Sequence, residues 1–146
     1  MFKSINKADI FKTLTSSGTT SQKVSKIYLD RETSKNQTKA LIKIMQNYLG
    51  KSRLPMLIID HPSVVKDRSL FSARGAGILG LSNFGRNHCY ALNDDMRIDI
   101  EKVKEFSERY NKMPIFIFGF TFMIWQYFIN ALLEKKIDIA LSNAVL

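Results

Sequence analysis

Apolar and polar positions alternate, cluster and pause along this chain in a way that sorts it into strands and helices. Ile10, Phe11 and Leu14 make a short extended segment, and Val24-Ser25-Lys26-Ile27-Tyr28-Leu29 alternates as a half-buried strand does. Ala40, Leu41, Ile44, Met45, Tyr48 and Leu49 fall on one helical stripe; Ser34 and Gln37 have capping-box spacing at its start and Gly50 ends it. Met56-Leu57-Ile58-Ile59, opened by Pro55 and closed by Asp60-His61-Pro62, has the profile of a central parallel strand. The glycines of Arg74-Gly75-Ala76-Gly77-Ile78-Leu79-Gly80 predict a loop or a broken helix. His88 to Leu92 reads as another short strand. Ile100, Val103, Phe106 and Tyr110 then sit near helical spacing, with Asp99 placed to cap them and Pro114 forbidding continuation. Strands that alternate with helices predict an α/β fold, a layered and largely parallel sheet flanked by helices.

Ile115 to Leu133 is long enough, and free enough of charge, to meet the naive test for a membrane span. Pro114 and Gly119 punctuate it, Thr121, Gln126 and Asn130 are polar, and its first residues are β-branched or aromatic. Strand, turn and helix is therefore the expectation, with no membrane span. The N-terminus lacks the apolar core of a signal peptide, which predicts a cytoplasmic protein.

Composition adds limits. The chain has 146 residues, which suits one α/β domain over 1–146, and 45% hydrophobic with 24% charged residues is ordinary for a globular protein. A formal net charge of +9 favours anionic partners without choosing among them. The basic residues are scattered, with no helix-turn-helix and no RNP-like strand, so nucleic acid is not expected. The single Cys89 excludes an internal disulfide. One cysteine and two histidines are too few to predict a zinc site, and no metal-ligating residue is assigned.

The candidate chemistry is densest at Thr15-Ser16-Ser17-Gly18-Thr19-Thr20-Ser21, where six hydroxyl side chains surround one glycine, with Lys12, Lys23 and Lys26 nearby. Phosphate oxygens seek backbone N–H groups, hydroxyls and positive charge, and Gly18 lets a chain approach them without a Cβ in the way. A Ser/Thr-rich surface turn is the alternative reading. Neither a Gly-x-x-x-x-Gly-Lys-Ser/Thr loop nor a Gly-x-Gly-x-x-Gly turn occurs anywhere in the chain.

This run, with the downstream Lys26-Ile27-Tyr28-Leu29-Asp30-Arg31, resembles the phosphate-binding signature of adenylate-forming ligases, specifically the LuxE-type acyl-protein synthetases. Pro114-Ile115-Phe116-Ile117-Phe118-Gly119-Phe120-Thr121, a strand running through a glycine turn into an aromatic helix, extends the resemblance over nearly the whole chain. The family usually has glycine where this sequence has Ser21. The resemblance implies ATP and Mg²⁺, a fatty or other carboxylate activated as acyl-adenylate, and transfer of the acyl group to a protein thiol. It assigns Thr15, Ser16, Ser17, Gly18, Thr19, Thr20 and Lys23 to the phosphates, and Gly119 and Thr121 to the carboxylate substrate; no catalytic residue is assigned. Partners would be an acyl-accepting protein or an acyl-CoA reductase subunit.

The family continues beyond a point equivalent to Leu146 into the adenine pocket, the lid and its lysine. The expectation is thus a partial N-terminal domain of an adenylating enzyme, inactive without the remainder of the parent chain. The alternative is a noncatalytic interaction module or subunit of a fatty-acid reductase complex. Three further readings concern single features. Asp60-His61 is either a reactive corner or a turn. Phe120, Phe122 and Trp125 either line an acyl pocket or, the preferred reading, belong to the core. Cys89, in an apolar strand, is expected to be structural.

Overall fold

The computed structural model describes residues 5–15, 26–65, 73–141 and 143–146. Two compact units divide the chain, residues 1–47 and 48–146.

The first unit holds a two-stranded antiparallel sheet and most of a long helix. Strand β1 (Lys12–Thr15) pairs with β2 (Lys26–Leu29) in a register that sets Thr15 opposite Lys26. The hydroxyl-rich run therefore joins two strands, as its flanks predict. These strands pair with each other and not with the larger sheet. The reason is chain length: a link this short closes a hairpin, whereas a parallel crossover needs a dozen residues or more and commonly a helix.

Helix α1 (Arg31–Leu49) starts earlier than the Ser34 capping box predicts. Asp30 Oδ1 accepts the Thr33 N–H at 2.6 Å, and that bond lowers the Asp30 pKa, so the carboxylate takes the capping role and leaves Ser34 inside the helix. Gly50, at φ +76°, ends the helix in the left-handed conformation that costs a residue with a Cβ about 1–2 kcal/mol. Of the predicted apolar stripe Leu49 is buried, whereas Leu41, Ile44 and Tyr48 are exposed.

In the second unit four strands form a parallel sheet in the order β4-β3-β5-β6: β3 (Leu54–Ile58), β4 (Gly85–Tyr90), β5 (Ile115–Phe118) and β6 (Ala144–Val145). This is the layered α/β architecture that the alternation predicts. β3 is the hub. Met56, Leu57, Ile58 and Ile59 are each at most 1% exposed, and fully burying such a side chain contributes about 1.5–3 kcal/mol. Leu57 and Ile59 join the main core with Val103 and Phe106 of α3 (Ile100–Arg109) and with Ile115, Ile117, Met123 and Phe128. Met56 and Ile58 are buried outside that cluster, on the opposite face. Asp99 caps α3 by accepting the Lys102 N–H at 3.2 Å, as the spacing predicts.

The glycine-rich stretch is an unbroken helix, α2 (Ala73–Ser82). Buried Ile78 anchors it despite its low intrinsic propensity, so packing overrides the glycines. After β5 come Gly119 and a helix over residues 121–134, composed of α4 (Thr121–Met123), a π-helical stretch (Ile124–Ile129) and α5 (Asn130–Glu134). No described helix is long and apolar enough to cross a membrane.

Gly119 is required by space. A Cβ there would lie 2.8 Å from Ile59 Cβ and 2.9 Å from Ile124 Cγ1, distances at which the strand or the helix must move. Gly119→Ala is expected to destabilise the protein by about 2 kcal/mol. Urea unfolding measures this, and a loss below about 0.5 kcal/mol would mean that the turn relaxes freely.

Candidate active site at the carboxyl edge of the parallel sheet

In a parallel sheet ligands bind beyond the carboxyl ends of the strands, and in this one three strand ends converge. Backbone pairing continues past β3, with Ile59 N–H donating to Phe118 O at 2.8 Å, Ala91 N–H to Ile58 O at 2.8 Å and Leu92 N–H to Asp60 O at 3.2 Å. Asp60 is thus fixed as part of the sheet, and its side chain, 2% exposed, is buried there.

A carboxylate in that position needs partners. Its Oδ1 accepts the His61 backbone N–H at 2.9 Å and Arg74 Nη2 at 3.1 Å. Arg74 Nε lies 3.0 Å from Oδ2, close enough for ion pairing but off-line for a hydrogen bond. Arg74 comes from the first turn of α2, so a single buried charge fastens that helix to the end of β3.

His61 sits at the mouth of this pair. Its Nε2 is 3.5 Å from Arg74 Nη2 and 3.8 Å from Asp60 Oδ1, while Nδ1 is 3.7 Å from Asp94 Oδ1. Ser63 Oγ donates to the same Asp94 oxygen at 2.5 Å. Burial pushes the Tyr90 phenol upward, and the Asp60 charge pushes it further. The arrangement is an imidazole, 19% exposed, lying between two carboxylates and a guanidinium. Among the described residues no group of three or more His, Cys, Asp or Glu is disposed to hold a metal ion.

A model of the family described as "Acyl-protein synthetase, LuxE" matches residues 2–145. The chain belongs to this family. No curated protein and no solved structure matches the chain.

Of the residues that the LuxE resemblance assigns to phosphates, Thr15 ends β1, and Ser16, Ser17, Gly18, Thr19, Thr20 and Lys23 lie outside the described residues. Gly119 and Thr121 follow β5 at the same sheet edge as Asp60 and His61, with Gly119 backing onto Ile59. The preferred core reading of the aromatic stripe is overturned: Phe120, Phe122 and Trp125 are 39%, 60% and 61% exposed. The helix turns Met123 and Phe128 inward and leaves Phe122 and Trp125 on its outer side, while Phe120, just before it, packs edge-on against Phe118. Sequence reasoning left Asp60 and His61 open between a reactive corner and a turn, and did not connect Arg74, Ser63 or Asp94 with them. Arg74 is fourteen positions from Asp60 inside a glycine-rich stretch; an aspartate closing an apolar strand was the available signal that a cation must be near.

Cys89 lies in β4 at 6% exposure, beside a recess of about 330 Å³ between β4 and α3 lined in part by Lys102, Glu105 and Tyr110. Burial raises its thiol pKa; the Lys102 charge opposes that, and Asp99 and Glu105 add to it.

Two outcomes follow from this geometry. Arg74→Met strands the Asp60 carboxylate and is expected to cost about 3 kcal/mol, at the low end for a buried pair because the guanidinium is a third exposed. Asp60→Asn combined with Arg74→Met should recover part of the loss in urea melts, and strictly additive losses would refute the coupling. Because the folded state favours the neutral thiol, Cys89 contributes stability below the pKa of an unfolded thiol that fades as pH rises through the higher folded value. Iodoacetamide at neutral pH should therefore modify native Cys89 far more slowly than the unfolded protein, and equal rates would contradict the burial.

Proposed function

We propose that this chain takes part in ATP-dependent activation of a fatty or other carboxylate as an acyl-adenylate, for transfer of the acyl group to a protein thiol. The observation that carries the reading is the family match across residues 2–145. Further support comes from the hairpin, whose strand ends at Thr15 and Lys26 bound the hydroxyl-rich run.

In this reading Thr15, Ser16, Ser17, Thr19 and Thr20 offer hydroxyls to the phosphates of ATP, Gly18 its backbone N–H, and Lys23 its charge. Such donors hold the β- and γ-phosphates as charge develops on the departing pyrophosphate. ATP enters with Mg²⁺, which neutralises phosphate charge. Gly119 and Thr121, beside the Asp60–His61–Arg74 cluster, receive the carboxylate substrate. The acyl group passes to a protein thiol other than Cys89, and an acyl-accepting protein or a reductase subunit is the partner this reading implies.

Binding is the direct test. ATP with Mg²⁺ at about a hundred times its Kd should stabilise the chain by about 2.7 kcal/mol in a thermal-shift series. Thr19→Val with Thr20→Val should abolish the shift without lowering the ligand-free melting temperature. Absence of any shift at millimolar ATP would favour the noncatalytic interaction module.

A further inference from the structure

The parallel sheet carries its charge unequally at its two ends, both of which belong to the unit of residues 48–146. At the carboxyl end Asp60, His61, Arg74 and Asp94 pair with one another. At the amino end the approaches to β3, β4 and β5, which are neighbours in the sheet, carry Lys51, Arg53, Arg86, Arg109 and Lys112. All five are exposed, and none of them forms an ion pair among the described residues. Glu108 precedes Arg109, and Asp138 lies in the segment leading to β6; counting both leaves five cations against two carboxylates. Lys102 and Glu105, which line the recess beside Arg109, offset each other.

Arg86 shows how this edge is built. From β4 its side chain crosses the entry of β3, where Nε donates to Arg53 O at 3.0 Å, and it reaches the segment before β5, with Nη2 3.8 Å from Met113 Sδ. A guanidinium already held at two points loses little further freedom on binding, and its planar fork matches a carboxylate. The strip continues through Asn87, whose Nδ2 donates to Tyr110 Oη at 2.9 Å, to Arg109, 6.0 Å from the Tyr110 ring centre.

The neighbours of these charges select the partner. Met113 is 37% exposed, and Tyr48, three positions before Lys51, is 73% exposed. Arginine, tyrosine and methionine are enriched in protein interfaces. The rings within the strip, Phe84 and Tyr110, are half-buried and offer no row of platforms for stacked bases.

We infer that the amino edge of the sheet docks a carboxylate-rich segment of a partner protein, with Arg53, Arg86 and Lys112 as its central contacts. Docking there leaves the carboxyl edge, with Asp60, His61 and Gly119, open. The inference is independent of the acyl-activation reading.

A fluorescein-labelled decaglutamate peptide, titrated in low-salt buffer and followed by anisotropy, is the probe. It should bind, and added salt should release it. Arg53→Gln with Lys112→Gln alters exposed side chains that have no partner among the described residues, so the fold should be retained. That variant should weaken binding about ten-fold, whereas Lys35→Gln with Lys39→Gln on α1, which removes the same charge elsewhere, should weaken it less than about two-fold. Equal losses in the two variants would overturn the proposal, since binding would then follow net charge alone. So would failure of the peptide to bind, or duplex DNA that binds more tightly than the peptide and responds to the same variant, which would make the edge a nucleic-acid surface.

Discussion

A carboxylate placed where water cannot reach it organises the carboxyl edge of the sheet. Asp60 closes the most deeply buried of the described strands, and leaving its charge unpaired there would cost several kcal/mol. Its requirements are met from three directions: the His61 amide turns in to one oxygen, the Arg74 guanidinium spans both, and the Asp60 carbonyl receives the Leu92 amide. Each of these contacts ties a different segment to β3. The exit of β3, the beginning of α2 and the continuation of β4 are thereby set against one another by the needs of one residue. The partly exposed imidazole of His61 is a consequence, since its backbone is pinned while its ring remains at the surface.

Much of this was legible in the sequence where a feature acts through its immediate neighbours. The Met56–Ile59 run between Pro55 and Asp60 announced a central strand, because only a strand covered on both faces tolerates four consecutive apolar residues followed at once by a charge. Pro114 and Gly119 correctly divided a long apolar stretch into strand and helix. Asp99 was readable as a cap because capping acts over three residues. The same local logic misplaced the start of α1: Asp30 and Ser34 both satisfy capping rules, and the carboxylate earlier in the chain prevailed.

What was not legible depends on distant partners. The glycines of residues 75, 77 and 80 argue against a helix by propensity, and the helix exists because Ile78 has a core to enter and Arg74 has a buried carboxylate to meet. Nothing near Asp60 in the chain specifies Arg74. The aromatic helix shows the opposite failure: Phe122 and Trp125 carry the composition of a core, but Met123 and Phe128 already occupy the inward side, and a helix has only one side to offer a sheet. The hydroxyl-rich run was legible as lying between two extended segments, but composition describes what a loop can bind and does not say that those strands pair antiparallel with each other.

The chemistry of acyl transfer places a further demand on the cysteine. A thiol accepts an acyl group as its thiolate, and attack requires access to the carbonyl carbon. Cys89 meets neither condition: it is 6% exposed, and desolvation in β4 outweighs the favourable charge of Lys102 and raises its pKa. Opening it to a bulky acyl donor would separate β4 from α3 and expose Phe106 and Val103, which are packed into the same core. The one cysteine of this chain thus serves packing.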